Sequence, residues 1–261
     1  MQSDVVGAGP PMALVGGGLT GWKGWVPHQA RLARDRQVAR LQPLSVQLGL
    51  EDRLPPAGYS IALESSALGA ALGPEPVDLV AWSYGAAIAL DFALGNQDRI
   101  RTLTLIEPPA MWVLDATGSD EQCRRETEAL RELHLSMTEE VSEQQLASFL
   151  DAAGLVPPGQ QADQLAAWPD WVQHRRSLRI GLALWNHRDS VDRLRRFEPP
   201  VLLVTGAGTA RFLRRIVDGL ASEFPRAEIL ELPGGHAPHL VAMDRFLARL
   251  AAHAPSTPSL R

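Results

Sequence analysis

One cysteine, one lysine and two tyrosines in 261 residues mark this chain by scarcity, and each shortage closes off a class of function. A lone Cys123 permits no internal disulfide and no thiolate metal cluster. It sits in the charged run Gln122-Cys123-Arg124-Arg125, with no glycine-flanked turn to expose it as a nucleophile. Lys23 is the only lysine, arginine supplies the other basic side chains, and the net charge is -5. An acidic balance of this kind argues against nucleic-acid binding, which needs a basic face for phosphates. No run approaches the roughly 18 apolar residues of a membrane span, and Met1-Gln2-Ser3-Asp4 lacks the basic start of a secretory signal. The expectation is a cytoplasmic protein, monomer or homodimer, with a small-molecule substrate as its partner and neither nucleic acid nor membrane.

At 28.4 kDa the chain is long enough to bury a large core without disulfide or metal staples. Its organising stretch is Val77-Asp78-Leu79-Val80-Ala81-Trp82-Ser83-Tyr84-Gly85-Ala86-Ala87-Ile88. A short apolar run breaks at a serine with a small residue two positions to either side, Ala81 and Gly85, and an alanine-rich run of helical character follows. That pattern reads as strand, sharp turn and helix, with Ser83 held in a strained conformation above the sheet.

Around this turn, strand-like and helix-like runs alternate. Met12 to Val15 reads as a strand, residues 26–35 as a helix, Arg36 to Leu44 as a strand, Ser45 to Gly58 as a loop and Tyr59 to Leu72 as a helix. Arg101 to Ile106, Val201 to Thr205 and Ala227 to Leu232 read as further strands, with Arg211 to Phe224 and Pro238 to His253 as helices. Strands and helices at this spacing indicate a mostly parallel sheet with helices on both faces. From Ala110 to Phe197 the alternation gives way to a charged stretch of helical pattern. Residues 1–11 read as a loosely attached leader and Ala254 to Arg261 as a flexible tail.

Gly16, Gly18 and Gly21 formally match the G-x-G-x-x-G of dinucleotide sites. Gly24 and Pro27 interrupt the helix such a site requires, and the strand ending in Gln42-Pro43-Leu44 lacks the ribose-binding acid. No cofactor is therefore expected, and no metal.

The segment Ala81-Trp82-Ser83-Tyr84-Gly85 resembles the nucleophile elbow of the α/β-hydrolase superfamily, with Ala81 where G-x-S-x-G has its first glycine. The resemblance extends from Met12 to His253. It implies an α/β core over residues 12–109 and 198–253, carrying a helical cap over residues 110–197. The family sheet opens with two further strands that eleven leader residues are too few to form, so about six strands are expected and one sheet edge is left bare.

The resemblance also implies roles. Ser83 is the nucleophile, and His236, after a strand and two glycines, is its base, with His239 three residues on as a competitor. The family's usual acid position, the loop Gly206-Ala207-Gly208-Thr209-Ala210, holds no carboxylate; Glu107, at the end of the preceding strand, is the alternative. Gly18 and Tyr84 donate backbone N–H groups to an oxyanion, with Gly16 standing where the family has a histidine. Trp82 and Trp112 are the tryptophans nearest such a pocket. The expected activity is hydrolysis of a carboxylic ester, lactone or thioester of a largely apolar small molecule through an acyl-enzyme. A C–C hydrolase, acyltransferase or cyclase on the same scaffold, and a non-catalytic small-molecule binder, are the alternatives.

Overall fold

The computed structural model describes residues 1–254; the expected flexible tail beyond Ala254 lies outside them. Seven strands form one sheet: β1 (Gln2–Val6), β2 (Pro11–Val15), β3 (Gln37–Gln42), β4 (Val77–Trp82), β5 (Ile100–Ile106), β6 (Val201–Gly206) and β7 (Ala227–Leu232). Their spatial order is β1-β3-β2-β4-β5-β6-β7, and every pairing is parallel except β1 with β3.

Strand periodicity divides the core into two layers, because successive side chains point to opposite faces. Ala13, Val15, Leu79, Ala81, Val201 and Leu203 pack on one face, against helices α3 (Ile61–Ala71), α4 (Tyr84–Gly95) and α11 (Arg211–Glu223). Met12, Leu14, Val80, Trp82, Leu202 and Val204 pack on the other, with Trp25 and with Phe246, Leu247 and Leu250 of α13 (Met243–His253). Both faces are covered, so the central strands read as continuous apolar runs.

Two short helices, α1 (Val26–Leu32) and α2 (Leu44–Leu50), flank β3. Between β5 and β6 the chain runs through α5 (Met111–Thr117), α6 (Glu121–Ser136), α7 (Glu143–Ala152), α8 (Trp168–His174), α9 (Ala183–Asn186) and α10 (Val191–Arg195). These helices enclose an apolar cluster of their own that includes Met137, Leu146, Leu150, Trp171 and Leu178. Leu19, from the loop after β2, is the member contributed by the sheet side.

Three expectations are corrected. Residues 1–11 are not a loose leader: β1 pairs antiparallel with β3 from Gln2↔Gln42 to Val6↔Val38, so the sheet has seven strands rather than about six, and one of the two strands thought missing is present. This strand is held from outside itself, by Gln29 Nε2 donating to the Asp4 carbonyl (3.1 Å) and by the Arg40–Asp4 ion pair (2.7 Å). Residues 45–58 are not all loop, because α2 forms over Leu44–Leu50 although Ser45 and Gly49 are turn formers. Its first N–H groups, Leu44 N and Ser45 N, donate to the Glu64 carboxylate at 2.9 Å each, a cap brought from α3. The last helical stretch is broken at Ala242 into α12 (Pro238–Val241) and α13.

Candidate active site

Ser83 links β4 to α4 with φ 55° and ψ -125°, in a region that non-glycine residues occupy only at a cost of about 1–3 kcal/mol. Its surroundings enforce the turn. Ser83 N donates to Ile106 O on β5 at 2.9 Å, and Ser83 O accepts from Ala86 N at 2.8 Å. Gly85 explains how the turn fits so close to the sheet: a Cβ there would lie 2.4 Å from Gly16 O and 2.8 Å from Val15 O. Ala81, in place of a family glycine, is fully buried, and its methyl group joins the apolar cluster on the face of the sheet that α4 covers.

His236 follows β7 and the Gly234-Gly235 turn. Its Nε2 lies 2.7 Å from Ser83 Oγ, and its Nδ1 lies 3.4 Å from Glu107 Oε2. Backbone contacts fix the ring from two directions: Trp82 Nε1 donates to His236 O at 2.7 Å, and His236 N donates to Gly154 O at 3.1 Å. His239, the competitor, lies elsewhere. It is wholly buried among Trp25, His28, Trp82 and Phe246, with neither ring nitrogen partnered among the described residues, and burial pushes its pKa well below 6.5.

Glu107 directly follows β5, with φ 50°, and is wholly buried. Its Oε1 accepts from Thr205 Oγ1 (2.7 Å) and Gly206 N (2.8 Å); its Oε2 accepts from the Thr209 hydroxyl and faces His236 Nδ1. The loop after β6, which holds no carboxylate, therefore supplies donors to the carboxylate of the neighbouring strand. Gly206, at the start of this loop, has no space for a side chain. A Cβ on Gly206 would meet Gly235 O at 2.1 Å, and Gly208 N donates to Gly234 O at 2.9 Å. Thr205 and Thr209 were not singled out from sequence; hydroxyls flanking a glycine loop were the available signal.

The loop after β2 folds back on itself, with Gly21 N donating to Gly17 O at 2.9 Å. A Cβ on Gly16 would lie 2.2 Å from the Gly21 carbonyl, so the position taken by histidine in the family pattern has no space for a side chain. Gly18 rests on Tyr84, 3.6 Å from the Tyr84 Cβ to an added Cβ. Neither Gly18 N nor Tyr84 N donates to another group among the described residues. Ser177, in the segment between β5 and β6, donates its hydroxyl to Gly18 O at 2.5 Å and ties that segment to the loop. Tyr84 is anchored at its other end, where its hydroxyl lies 2.9 Å from that of Tyr59, which donates to Glu64.

These groups open into a pocket with about 740 Å³ of space free of protein atoms, part of it continuous with solvent. Gly17, Gly18, Trp82, Ser83 and His236 line it from the sheet side, and Leu130, His134, Phe149, Trp171 and Leu178 from the helical segment. No Lys, Arg, Asp or Glu is among the lining residues. Trp82 is at the wall, whereas Trp112, on α5, is buried in the core. The arrangement pairs a hydroxyl with an imidazole, two unoccupied N–H donors and an apolar chamber, which together are suited to acyl chemistry.

Away from the pocket, Asp91, His187 and Asp189 bring possible metal-ligating atoms within 4.8 Å of one another. The Arg193 guanidinium, 2.9 and 2.8 Å from the two Asp189 oxygens, already supplies a cation there.

A family model described as the alpha/beta hydrolase family matches residues 13–249. The pimeloyl-[acyl-carrier protein] methyl ester esterase of Chromobacterium violaceum is 28% identical over 259 residues, covering 96% of each chain. The 2-hydroxy-6-oxo-2,4-heptadienoate hydrolase of Pseudomonas putida is 37% identical over 109 residues, which are 39% of this chain and 38% of that one. Among solved structures, an esterase from Exiguobacterium antarcticum superposes with a TM-score of 0.73 at 16% identity, covering 96% of this chain and 94% of that one. A hydrolase from Pseudomonas aeruginosa gives the same TM-score, 0.73, at 19% identity over 96% and 92% of the two chains.

Proposed function

The chain belongs to the alpha/beta hydrolase family, and from that premise we propose that it is a serine hydrolase cleaving a carboxylic ester, thioester or lactone of a largely apolar small molecule. The observation that carries this reading is the 2.7 Å approach of His236 Nε2 to Ser83 Oγ at the floor of an apolar pocket. Serine is a weak nucleophile until a base takes its proton, and the base must hold its own proton on the far nitrogen. Glu107, facing Nδ1, keeps that proton there.

In the proposed cycle Ser83 Oγ attacks the substrate carbonyl carbon while His236 Nε2 receives the hydroxyl proton. The carbonyl oxygen gains negative charge opposite the N–H groups of Gly18 and Tyr84, and the N-terminus of α4 adds its positive dipole. Collapse breaks the bond to the leaving group, which takes the proton from His236 and departs as alcohol or thiol. Water then attacks the acyl-enzyme, with His236 accepting its proton and returning it to Ser83 Oγ. The helices from α5 to α10 act as a cap that gives the acyl or alcohol chain its apolar surroundings.

C–C bond hydrolysis is the second reading, favoured by the local identity to the Pseudomonas putida heptadienoate hydrolase. The substrate in that enzyme's name is a carboxylate, and a pocket lined by no Lys or Arg offers it no cation. The ester reading is therefore preferred. It is tested with a fluorophosphonate probe and a panel of p-nitrophenyl esters. Covalent labelling and turnover, both abolished by Ser83→Ala, are expected; full turnover by the Ser83→Ala protein overturns it.

A further inference from the structure

The pocket wall opposite the sheet contains a polar group that the proposed chemistry does not use. His134, in the last turn of α6, is 2% exposed and packs edge-on against Phe149 and Trp185, with ring centroids 5.3 and 6.0 Å away. Its Nδ1 lies 2.9 Å from Leu130 O, one turn earlier in the helix. A carbonyl oxygen only accepts, so Nδ1 carries the proton, and in a neutral imidazole Nε2 is then a bare lone pair. Burial lowers the pKa of this ring from its ordinary 6.5, which keeps it in the neutral form. No group among the described residues donates to Nε2, and the ring lines the pocket.

Of the polar side chains around it three are engaged elsewhere, whereas the indole N–H of Trp185, on the ring packed against His134, is buried without an acceptor among the described residues. Ser177 gives its proton to Gly18 O, Trp82 gives its indole proton to His236 O, and the Tyr84 hydroxyl pairs with Tyr59. A buried acceptor in the wall of an apolar chamber has a desolvation cost that a ligand donor removes.

Building on the serine-hydrolase reading, we propose that His134 is a specificity residue: its Nε2 accepts a hydrogen bond from a neutral donor, a hydroxyl or an N–H, on the otherwise apolar chain that fills the pocket. A charged donor does not fit, because no carboxylate lines the cavity to balance it. An ionised carboxylate is disfavoured more strongly, since it presents lone pairs to a lone pair.

The test compares methyl octanoate with its 4-, 6- and 8-hydroxy derivatives and with monomethyl suberate. A second series compares octyl acetate with 8-hydroxyoctyl acetate, in case the alcohol chain occupies the pocket. The wild-type enzyme is expected to favour at least one hydroxylated ester by about tenfold in kcat/KM, the factor for one well-made hydrogen bond to a buried group. Monomethyl suberate is expected to be poorer than methyl octanoate. His134→Phe should reduce the hydroxyl preference to about onefold, and His134→Gln, which keeps an acceptor, should retain part of it. A general packing defect lowers all esters together and leaves the ratio in place. Binding of the same pairs to Ser83→Ala protein, read by thermal shift, reports the preference without turnover. Ester turnover or binding with no hydroxyl preference in either series overturns the role of His134 alone. So does a preference that survives His134→Phe. Absence of both turnover and fluorophosphonate labelling counts against the serine-hydrolase reading, and the binding comparison still decides on His134.

Discussion

Replacing Glu107 by glutamine changes one carboxylate oxygen to an amide nitrogen and tests the reading most directly. Two orientations are open to the new side chain. If its nitrogen faces Thr205 Oγ1 and Gly206 N, the Thr205 hydroxyl can rotate to accept but the Gly206 N–H meets a donor in a fully buried site, at a cost of about 1–3 kcal/mol. The other orientation keeps the oxygen on those donors and turns the nitrogen toward Thr209 and His236. The Thr209 hydroxyl adapts by rotating its proton, since it both donates and accepts. His236 also adapts, by presenting a lone pair at Nδ1 and moving its proton to Nε2. That proton then points at Ser83 Oγ, 2.7 Å away, so the ring can no longer receive the serine proton. The expected cost to folding is one weakened hydrogen bond, about 1 kcal/mol, or a fall in Tm of roughly 2–4 °C for a chain of this size. The expected loss in kcat is on the order of 10³–10⁴-fold, the cost of a wrong tautomer in a serine–histidine pair. Steady-state turnover of p-nitrophenyl esters, the rate of fluorophosphonate labelling and a thermal melt of the same preparation separate the two effects. A folded Glu107→Gln protein within tenfold of wild-type kcat would refute the reasoning and leave Glu107 as a structural carboxylate.

Three further outcomes follow from the same coordinates. Gly85→Ala places a methyl 2.4 Å from Gly16 O and should push α4 away from the β2 loop, costing about 1–3 kcal/mol in a melt and at least tenfold in kcat; wild-type activity would show that the Gly18 and Tyr84 donors need no fixed separation. Asp78, wholly buried, accepts from Arg36 at 2.6 Å, Arg101 at 2.9 and 2.5 Å, and Thr102 at 2.8 Å; Asp78→Ala strands the buried Arg36 and should cost about 3–5 kcal/mol by urea denaturation, and a loss under 1 kcal/mol would contradict it. Burial holds His28 down to about 4 and His239 well below 6.5, so the unfolded chain takes up protons in a range where the folded chain does not. Stability is therefore full above about pH 6.5 and falls as the pH drops toward 4, by about 2 kcal/mol at pH 5 from His28 alone. The urea midpoint at pH 5 should lie below that at pH 7, and His28→Phe should shrink the difference.

Ser83 was legible in the chain because the elbow is a local device: an apolar strand, small residues and an alanine-rich helix start lie within a dozen positions. The two-faced core was legible for the same reason, since the near-continuous apolar runs of β2, β4 and β6 mark strands covered on both sides with no partner in view. Glu107 and His236 were recognisable as strand-end residues in the family's order. Their distances to each other and to Ser83 come from three separate parallel strands arriving at one edge of the sheet.

What escaped the sequence shares one physical cause, that the stabilising groups come from elsewhere in the chain. Val5 and Val6 are 53% and 47% exposed, so β1 carries no alternating apolar signal; its pairing with β3 and the reach of Gln29 and Arg40 to Asp4 make it a strand. The helix α2 exists over turn-forming residues because Glu64 caps it from another helix. Trp112 and Trp82 look alike as tryptophans beside turns, and packing alone sends one into the core and the other to the pocket wall. The Gly206–Ala210 loop reads as a place where an acid is absent, and only its contact with Gly234 and Gly235 turns Thr205, Gly206 and Thr209 toward Glu107. Local pattern thus determined which residues stand at the ends of strands. Long-range packing decided what each of them faces, because hydrogen-bond partners and pocket walls are set by elements far apart in sequence and close in space.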